Sequence, residues 1–146
     1  MSKKPKDPTI ITTNRKAQHD YAVLEFLECG LKLVGSEVKS LRNHKVSLDE
    51  SYAKVENHEV WLINCDIAEY KEARYNHAPK RPRKLLLHKR EIDKVAAKAT
   101  QKGYTLIPLK LYFKDGRAKV LLGVCKGKRE FDKRESIKKR DLSREQ

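Results

Sequence analysis

Cysteine is scarce: Cys29, Cys65 and Cys125 are the only three in 146 residues. An odd number at wide spacing excludes a disulfide framework, and no CxxC pair is present to begin a zinc site. Such thiols are expected to be buried and reduced, as in a cytoplasmic protein. Long apolar runs are also missing. Nothing approaches the roughly 20 residues a membrane span needs. The opening "MSKKPKDPTI" has charge but no apolar h-region, so it does not read as a secretory signal. No internal repeat stands out. The five histidines, His19, His44, His58, His77 and His88, form no HExxH pattern, so no metal is expected. "GVCKGKR" faintly resembles a phosphate loop. However, Gly123 and Gly127-Lys128 are one residue too close, and Arg129 stands where a magnesium-binding Ser or Thr would be needed. Neither a cofactor nor an enzymatic activity is expected.

What the chain has is positive charge, +14 in all. Residues 126–146 contain nine basic and five acidic residues, so the body before them keeps ten of those charges. A basic excess spread over body and tail is the footprint of a polyanion binder, with nucleic acid the leading partner. The length fits one folded domain, able to bury about 68–70% of its unfolded surface. Residues 1–13 are predicted to be a flexible basic lead-in, residues 14–125 a folded body, and residues 126–146 a tail.

The body is rich in predicted strands. "DYAVLEFLECGLKLVG" predicts a long strand bent at a bulge near Gly30. "SEVKSLR" predicts a short helix with Ser36 as N-cap. "SYAKVENHEVWLINCDI" predicts a hairpin turning at Asn57-His58. Residues 68–84 lack periodicity and carry many basic side chains, the mark of a functional loop. Ile92, Val95, Ala96 and Ala99 share one helical stripe. His88 and Glu91 stand in the positions of a capping box, and Gly103 in that of a C′ stop. Two apolar runs then flank Asp115-Gly116, the strongest hairpin signal in the chain, and Pro108 should mark an edge or a bulge. Together these predict a mainly β protein with flanking helices, a small antiparallel oligonucleotide-binding-type (OB-like) barrel.

"KRPRKLLLHKR" is the most informative stretch. Lys80, Arg81, Arg83 and Lys84 suit phosphates, and arginine adds planar bidentate contacts. Alternation leaves Leu86 facing away from Leu85 and Leu87, where it can pack on an unstacked base or ribose. "NRKAQHDY" offers Asn14, Lys16 and His19 as a second wall. Lys39 and Arg42 add charge on the short helix. In the tail, Asp132 and Glu135 have capping-box spacing, and no Gly or Pro follows. Glu135 and Lys139 form a favourable pair four apart. Lys133, Ile137, Arg140 and Arg144 share one stripe. An isolated helix this short is marginal in water, so the tail is expected to be disordered when free and helical when bound. From the residues alone two other readings stay open: a ribosomal or translation-factor barrel that grips structured RNA, and a ribonuclease using His19 and His88 as acid and base.

The stretches "NRKAQHDY", "GSEVKSLR", "DESYA", "RPRKLLLHKREI", "GYTLIPLKLYF" and "GVCKGKREFDKR", in this order, resemble the small protein B family, the SsrA-binding proteins of bacterial trans-translation. The resemblance covers about residues 14–140. It implies an OB-type barrel bound to the tRNA-like domain of transfer-messenger RNA, delivered with elongation factor Tu and GTP to stalled ribosomes. Any GTP hydrolysis would belong to elongation factor Tu. By resemblance Asn14, Glu28 and Leu86 fall on RNA-binding positions. Gly127, Asp132, Lys133 and Arg134 match a motif needed for tagging on the ribosome. Lys126 and Lys128 would contact phosphates there. Phe131 would stack on ribosomal RNA, and Ile137, Lys138 and Arg140 would belong to the helix formed in the empty message channel near the decoding centre. His88 stands where many members have Asn, and Phe131 where some have His. The implied protein is a monomeric adaptor that does not associate with membranes.

Overall fold

The computed structural model describes residues 9–128. In chain order the elements are β1 (Thr9–Thr13), α1 (Arg15–Asp20), β2 (Tyr21–Leu31), α2 (Gly35–Arg42), β3 (Val46–Ser47), β4 (Tyr52–Glu56), β5 (Glu59–Ile63), β6 (Asp66–Ile67), β7 (Arg83–Leu86), α3 (Lys89–Ala99), β8 (Thr105–Lys114) and β9 (Arg117–Gly127). Strands β8-β4-β5-β7-β2-β9 follow one another, and β9 pairs back onto β8, closing a ring. Every pairing is antiparallel. This is the expected barrel with flanking helices. β1 lies outside the ring on the distal half of β8, with Thr9 opposite Phe113 and Thr13 opposite Lys110. Residues 9–13 are therefore part of the sheet, not of a flexible lead-in. Likewise β9 runs through Gly127 and takes in the first two residues of the expected tail.

Turn chemistry sets the two hairpins. Asn57 and His58 have φ of 51° and 59°, and Asp115 and Gly116 have 51° and 74°. Paired positive φ values are what two-residue hairpin loops with the native strand twist require. Two irregularities bend the sheet. Pro108 precedes a bulge, as expected, with the register shifting before Lys110. The bulge in β2 falls between Val23 and Glu25 and not at Gly30. Gly30 is instead needed for close approach: it lies opposite Leu86, and a Cβ there would sit 3.1 Å from Leu86 Cβ.

Inward-facing Val60, Leu62, Leu85, Leu111, Val120 and Leu122 fill the barrel, and Leu41 of α2 and Val95 of α3 join them. Each such side chain contributes about 1.5–3 kcal/mol by leaving water. A second, smaller core lies where Ala17 of α1 covers Ile107, Leu109 and Cys125. In α3 the predicted stripe faces the core. His88 is its N-cap, and Glu91 Oε1 accepts from the His88 N–H at 3.0 Å. The helix ends at Ala99, so Gly103 (φ 87°) belongs to the following turn and is not the C′ residue. In α2 the N-cap is Val34 and not Ser36, because Glu37 Oε1 accepts from the Val34 N–H at 2.9 Å. Ser36 hydrogen-bonds His77 Nδ1 at 2.8 Å instead.

Glu37 and Arg83 are wholly buried. Arg83 Nε donates to Glu37 Oε2, and Arg81 Nε reaches the same oxygen at 3.1 Å. The remaining Arg83 nitrogens donate to the carbonyls of Cys65 (2.6 Å) and Pro79 (2.9 Å). His77 Nε2 donates to the Ile67 carbonyl at 2.8 Å. These contacts fasten the segment between β6 and β7 to the barrel. Burial alone would raise the Glu37 pKa, but hydrogen bonds from Arg81, the Val34 N–H and Arg83 hold the carboxyl below its usual range.

The interior is testable in two ways. Glu37→Ala strands a buried guanidinium and should cost about 3–5 kcal/mol in urea unfolding, as removal of one member of a buried pair does. Because the folded pKa of Glu37 is depressed, its contribution is complete above its unfolded pKa of about 4.3 and is lost as pH falls through the folded value. Wild type should therefore lose stability on acidification below about pH 4 more steeply than Glu37→Ala. The cysteines have no exposed surface, and burial pushes Cys29 up to about 12 and Cys65 and Cys125 up to about 11. All three should resist a thiol reagent such as dithionitrobenzoate in the native state and react together on unfolding.

Candidate nucleic-acid interface

One cleft of about 820 Å³ opens between β2, the end of β7, the start of α3 and the β8–β9 hairpin. Strand alternation determines what lines it. Leu85 points into the core, so Leu86 points out and is 48% exposed. Along β9, Ala118, Val120 and Leu122 are buried, which leaves Arg117 and Lys119 facing the cleft. His88, as the N-cap of α3, stands at the same wall, with Glu28 of β2 beside it. Three residues expected to bind RNA, Glu28, Leu86 and His88, thus meet in one place.

Glu28 is held by two neighbours. The Tyr112 hydroxyl donates to Oε2 at 2.5 Å, and Lys114 Nζ lies 3.3 Å from Oε1. The hydrogen bond from Tyr112, helped by Lys114, holds the Glu28 carboxyl below the usual carboxylate range. The Tyr112 phenol is pushed well above its ordinary value, by burial and by its bond to Glu28. Glu28 is thus an anchored anion in a cleft whose charged lining also includes Glu91, Arg117 and Lys119. Phosphates supply charge to such a surface but no sequence information, whereas an acceptor can read base N–H groups.

The other expected contacts separate into three groups. Arg42 lies over the Phe113 ring, 5.8 Å from its centroid; Phe113 lines the cleft, but Arg42 does not. Lys39 lies 5.4 Å over the Tyr70 ring, and Lys84 pairs with Glu59 at 3.1 Å. Arg81 is one-third exposed and bound to Glu37. Arg83 cannot touch RNA: it has no exposed surface, and its donors serve Glu37 and backbone carbonyls. Asn14 is also withdrawn. It is buried as the N-cap of α1, accepting from the Ala17 N–H at 3.1 Å and donating to the Pro108 carbonyl at 2.9 Å. Lys16 pairs with Glu50, and with Asn14 it lines a different cleft of about 400 Å³. His19 is exposed beside Asp20 at 2.9 Å and does not line the cleft that holds His88. The two histidines considered as an acid–base pair are therefore apart.

Lys126 and Gly127 belong to β9, and Lys126 Nζ sits 4.4 Å from the Tyr104 ring centroid. Lys128 is exposed. Phe131, Asp132, Lys133, Arg134, Ile137, Lys138 and Arg140 lie outside the described residues. Sequence reasoning missed Tyr112, Phe113, Lys114, Arg117 and Lys119. Their signal was available in the alternation on either side of Asp115-Gly116. Phe26, on the same strand as Glu28, is 70% exposed and was missed as well.

Comparison with known proteins identifies what the chain is similar to. The sequence profile of the SmpB protein family matches residues 11–146. An SsrA-binding protein of Carboxydothermus hydrogenoformans is 56% identical over 137 residues, covering 93% of this chain and 92% of that protein. One from Nitrobacter hamburgensis is 56% identical over 138 residues, covering 93% and 88%. A chain from a solved structure described as "tmRNA-SmpB: a journey to the center of the bacterial ribosome" superposes with a TM-score of 0.69 at 51% identity, covering 80% of this chain and 83% of the other.

The anchoring of Glu28 is directly measurable. Tyr112→Phe removes the hydrogen bond that contributes most to its lowered pKa. In a carboxyl-carbon NMR titration the Glu28 midpoint should rise in Tyr112→Phe relative to wild type. An unchanged midpoint would show that the phenol does not hold the carboxylate.

Proposed function

The chain belongs to the SmpB protein family, and on that premise we propose that it binds the tRNA-like domain of transfer-messenger RNA and brings that RNA to stalled ribosomes. The observation that carries this reading is the cleft where anchored Glu28, exposed Leu86 and His88 meet Arg117 and Lys119. The cations supply affinity through counterion release, so log affinity falls linearly with log salt. Glu28 and Leu86 supply selection, one by accepting from base N–H groups and the other by packing on an unstacked ring or ribose.

In this reading the chain is an adaptor and not an enzyme. Elongation factor Tu with GTP joins through the alanylated RNA, and its GTPase supplies any hydrolysis. The chain acts as a cytoplasmic monomer. No helix among the described residues is long and apolar enough to cross a membrane. The segment after β9 acts elsewhere. It lies along ribosomal RNA in the empty message channel near the decoding centre and folds there as a helix. Its mixed charge suits that role, since capping and internal ion pairs favour a helix over an extended basic strand.

The two roles separate by mutation. Leu86→Ala and Glu28→Ala should each weaken binding to the tRNA-like domain by about 5- to 150-fold, corresponding to about 1–3 kcal/mol per lost base contact, with thermal unfolding unchanged. Joint replacement of Asp132, Lys133 and Arg134 by Ala should leave that affinity intact and abolish tagging of stalled chains in a reconstituted translation assay. Unchanged affinity in both cleft variants would remove the cleft from the RNA site. Collapse of RNA affinity in the triple variant would remove the division of labour.

A further inference from the structure

Along β9 the side chains of Ala118, Val120, Leu122 and Val124 are buried, and alternation makes Lys126 the next member of that row. A lysine at the end of a core-facing row needs a partner for its charge, because burying an unpaired ammonium group is costly. Here the ammonium lies over the Tyr104 ring, 4.4 Å from the centroid. Lys98, in the last turn of α3, lies 5.8 Å from the same centroid and 3.8 Å from Glu25 of β2. A cation within about 6 Å of a ring centroid is attracted to the electron-rich face. Tyr104 is itself held in place. Its side chain packs half-buried against the main core. Its N–H donates to the Gln101 carbonyl at 3.3 Å, in a turn that Gly103 completes at φ 87°. That turn delivers the ring directly ahead of β8, which starts at Thr105.

Strand pairing gives this contact its importance. Thr105 lies opposite Cys125, and β8 begins there. Among the described residues, Lys126 and Gly127 therefore have no strand partner on the β8 side. They pair only with Ala22 and Tyr21 of β2. A strand end with one neighbour is free to peel away, because half of its ladder is missing. The Tyr104 ring stands where the missing neighbour would be and holds the Lys126 side chain. Lys128, two residues on, is exposed.

We propose that Tyr104 and Lys126 form a clasp that fixes the direction in which the chain leaves the barrel. Tyr104 is thereby a positioning residue for the segment after β9. The proposal rests on the reading above, in which that segment serves the ribosome during tagging, and deepens it. Lys126 is an anchor whose charge is committed to the ring, and Lys128 is the cation beside it that is open to a phosphate.

The test is a double-mutant cycle in the full chain. Tyr104→Leu keeps an apolar side chain and removes the ring. Lys126→Met keeps the stem and removes the charge. Three quantities are measured: tagging of stalled chains in a reconstituted translation assay at limiting protein, affinity for the tRNA-like domain, and hydrogen–deuterium exchange over residues 125–128. Each single variant should slow tagging and lower protection from exchange by about two- to fivefold, which is what loss of a cation–π contact at an exposed site corresponds to. The double variant should lose no more than either single one. Affinity for the tRNA-like domain should be unchanged and thermal unfolding should stay cooperative. Tyr104→Phe keeps the ring and should match wild type throughout. In NMR spectra the Lys126 side-chain protons, shielded by the ring, should move downfield in Tyr104→Leu and stay in place in Tyr104→Phe. Wild-type tagging by Tyr104→Leu overturns the proposal. So do losses that add in the double variant, since Lys126 would then act independently of the ring. Reduced affinity of Tyr104→Leu for the tRNA-like domain also overturns it. Failure of the functional reading has a different signature: the wild-type chain supports no tagging or does not bind the tRNA-like domain. The exchange and NMR measurements still decide in that case whether the clasp exists.

Discussion

Strand β7, four residues from Arg83 to Leu86, closes the ring between β5 and β2, and the buried contact of Arg83 with Glu37 fixes its register. A strand this short has few ladder bonds to hold it. Side chains alternate with a period of two, so a slip of one residue would turn Leu85 out and Leu86 in. Arg83 prevents the slip because its donors are matched to Glu37 and to the Cys65 and Pro79 carbonyls, which a shifted strand could not satisfy. Fixing register is the best-attested use of a buried ion pair, which otherwise gains little over apolar packing. The exposed leucine of the cleft is in this sense a product of the buried arginine.

The same logic explains carboxylates in so basic a chain. Glu37 is enclosed and organises the fold. Glu28 is partly open, anchored by Tyr112 and Lys114, and presents lone pairs to whatever occupies the cleft. Affinity and selection are thereby assigned to different residues. Lysine and arginine attract any polyanion, and most of their contribution is screened by salt. In the proposed reading an anchored carboxylate and an exposed leucine add little to attraction and serve to distinguish one RNA surface from another. A uniformly cationic cleft would bind more RNAs with less discrimination.

Local signals in the sequence were reliable where the chemistry is local. Asn57-His58 and Asp115-Gly116 gave both hairpin turns, the apolar stripe gave α3, and alternation gave the outward turn of Leu86. Errors arose where a polar residue's partner is distant in the chain. Arg83 and Asn14 carry donors and lie near basic residues, so a charge pattern assigns them to the surface. Arg83 is instead committed to Glu37, 46 residues away, and Asn14 to the Pro108 carbonyl, 94 residues away. The Tyr112–Glu28 bond spans 84 residues and left no local trace. Residues 9–13 read as lead-in because the prolines and lysines just before them leave little to bury, and their pairing with β8 makes them a strand. The resemblance put Glu28 among the expected RNA-binding positions, whereas composition alone would have passed over an acidic residue.

In the proposed division of labour, recognition of the RNA belongs to the barrel cleft and the segment after β9 serves another surface. The decisive measurement is the affinity of the full chain, and of a chain ending at Lys128, for the tRNA-like domain of transfer-messenger RNA, with ordinary tRNA as competitor at fixed physiological salt. Equal affinity and equal selectivity are expected for the two chains. Loss of selectivity in the shortened chain would overturn that division and make the final segment part of the RNA site.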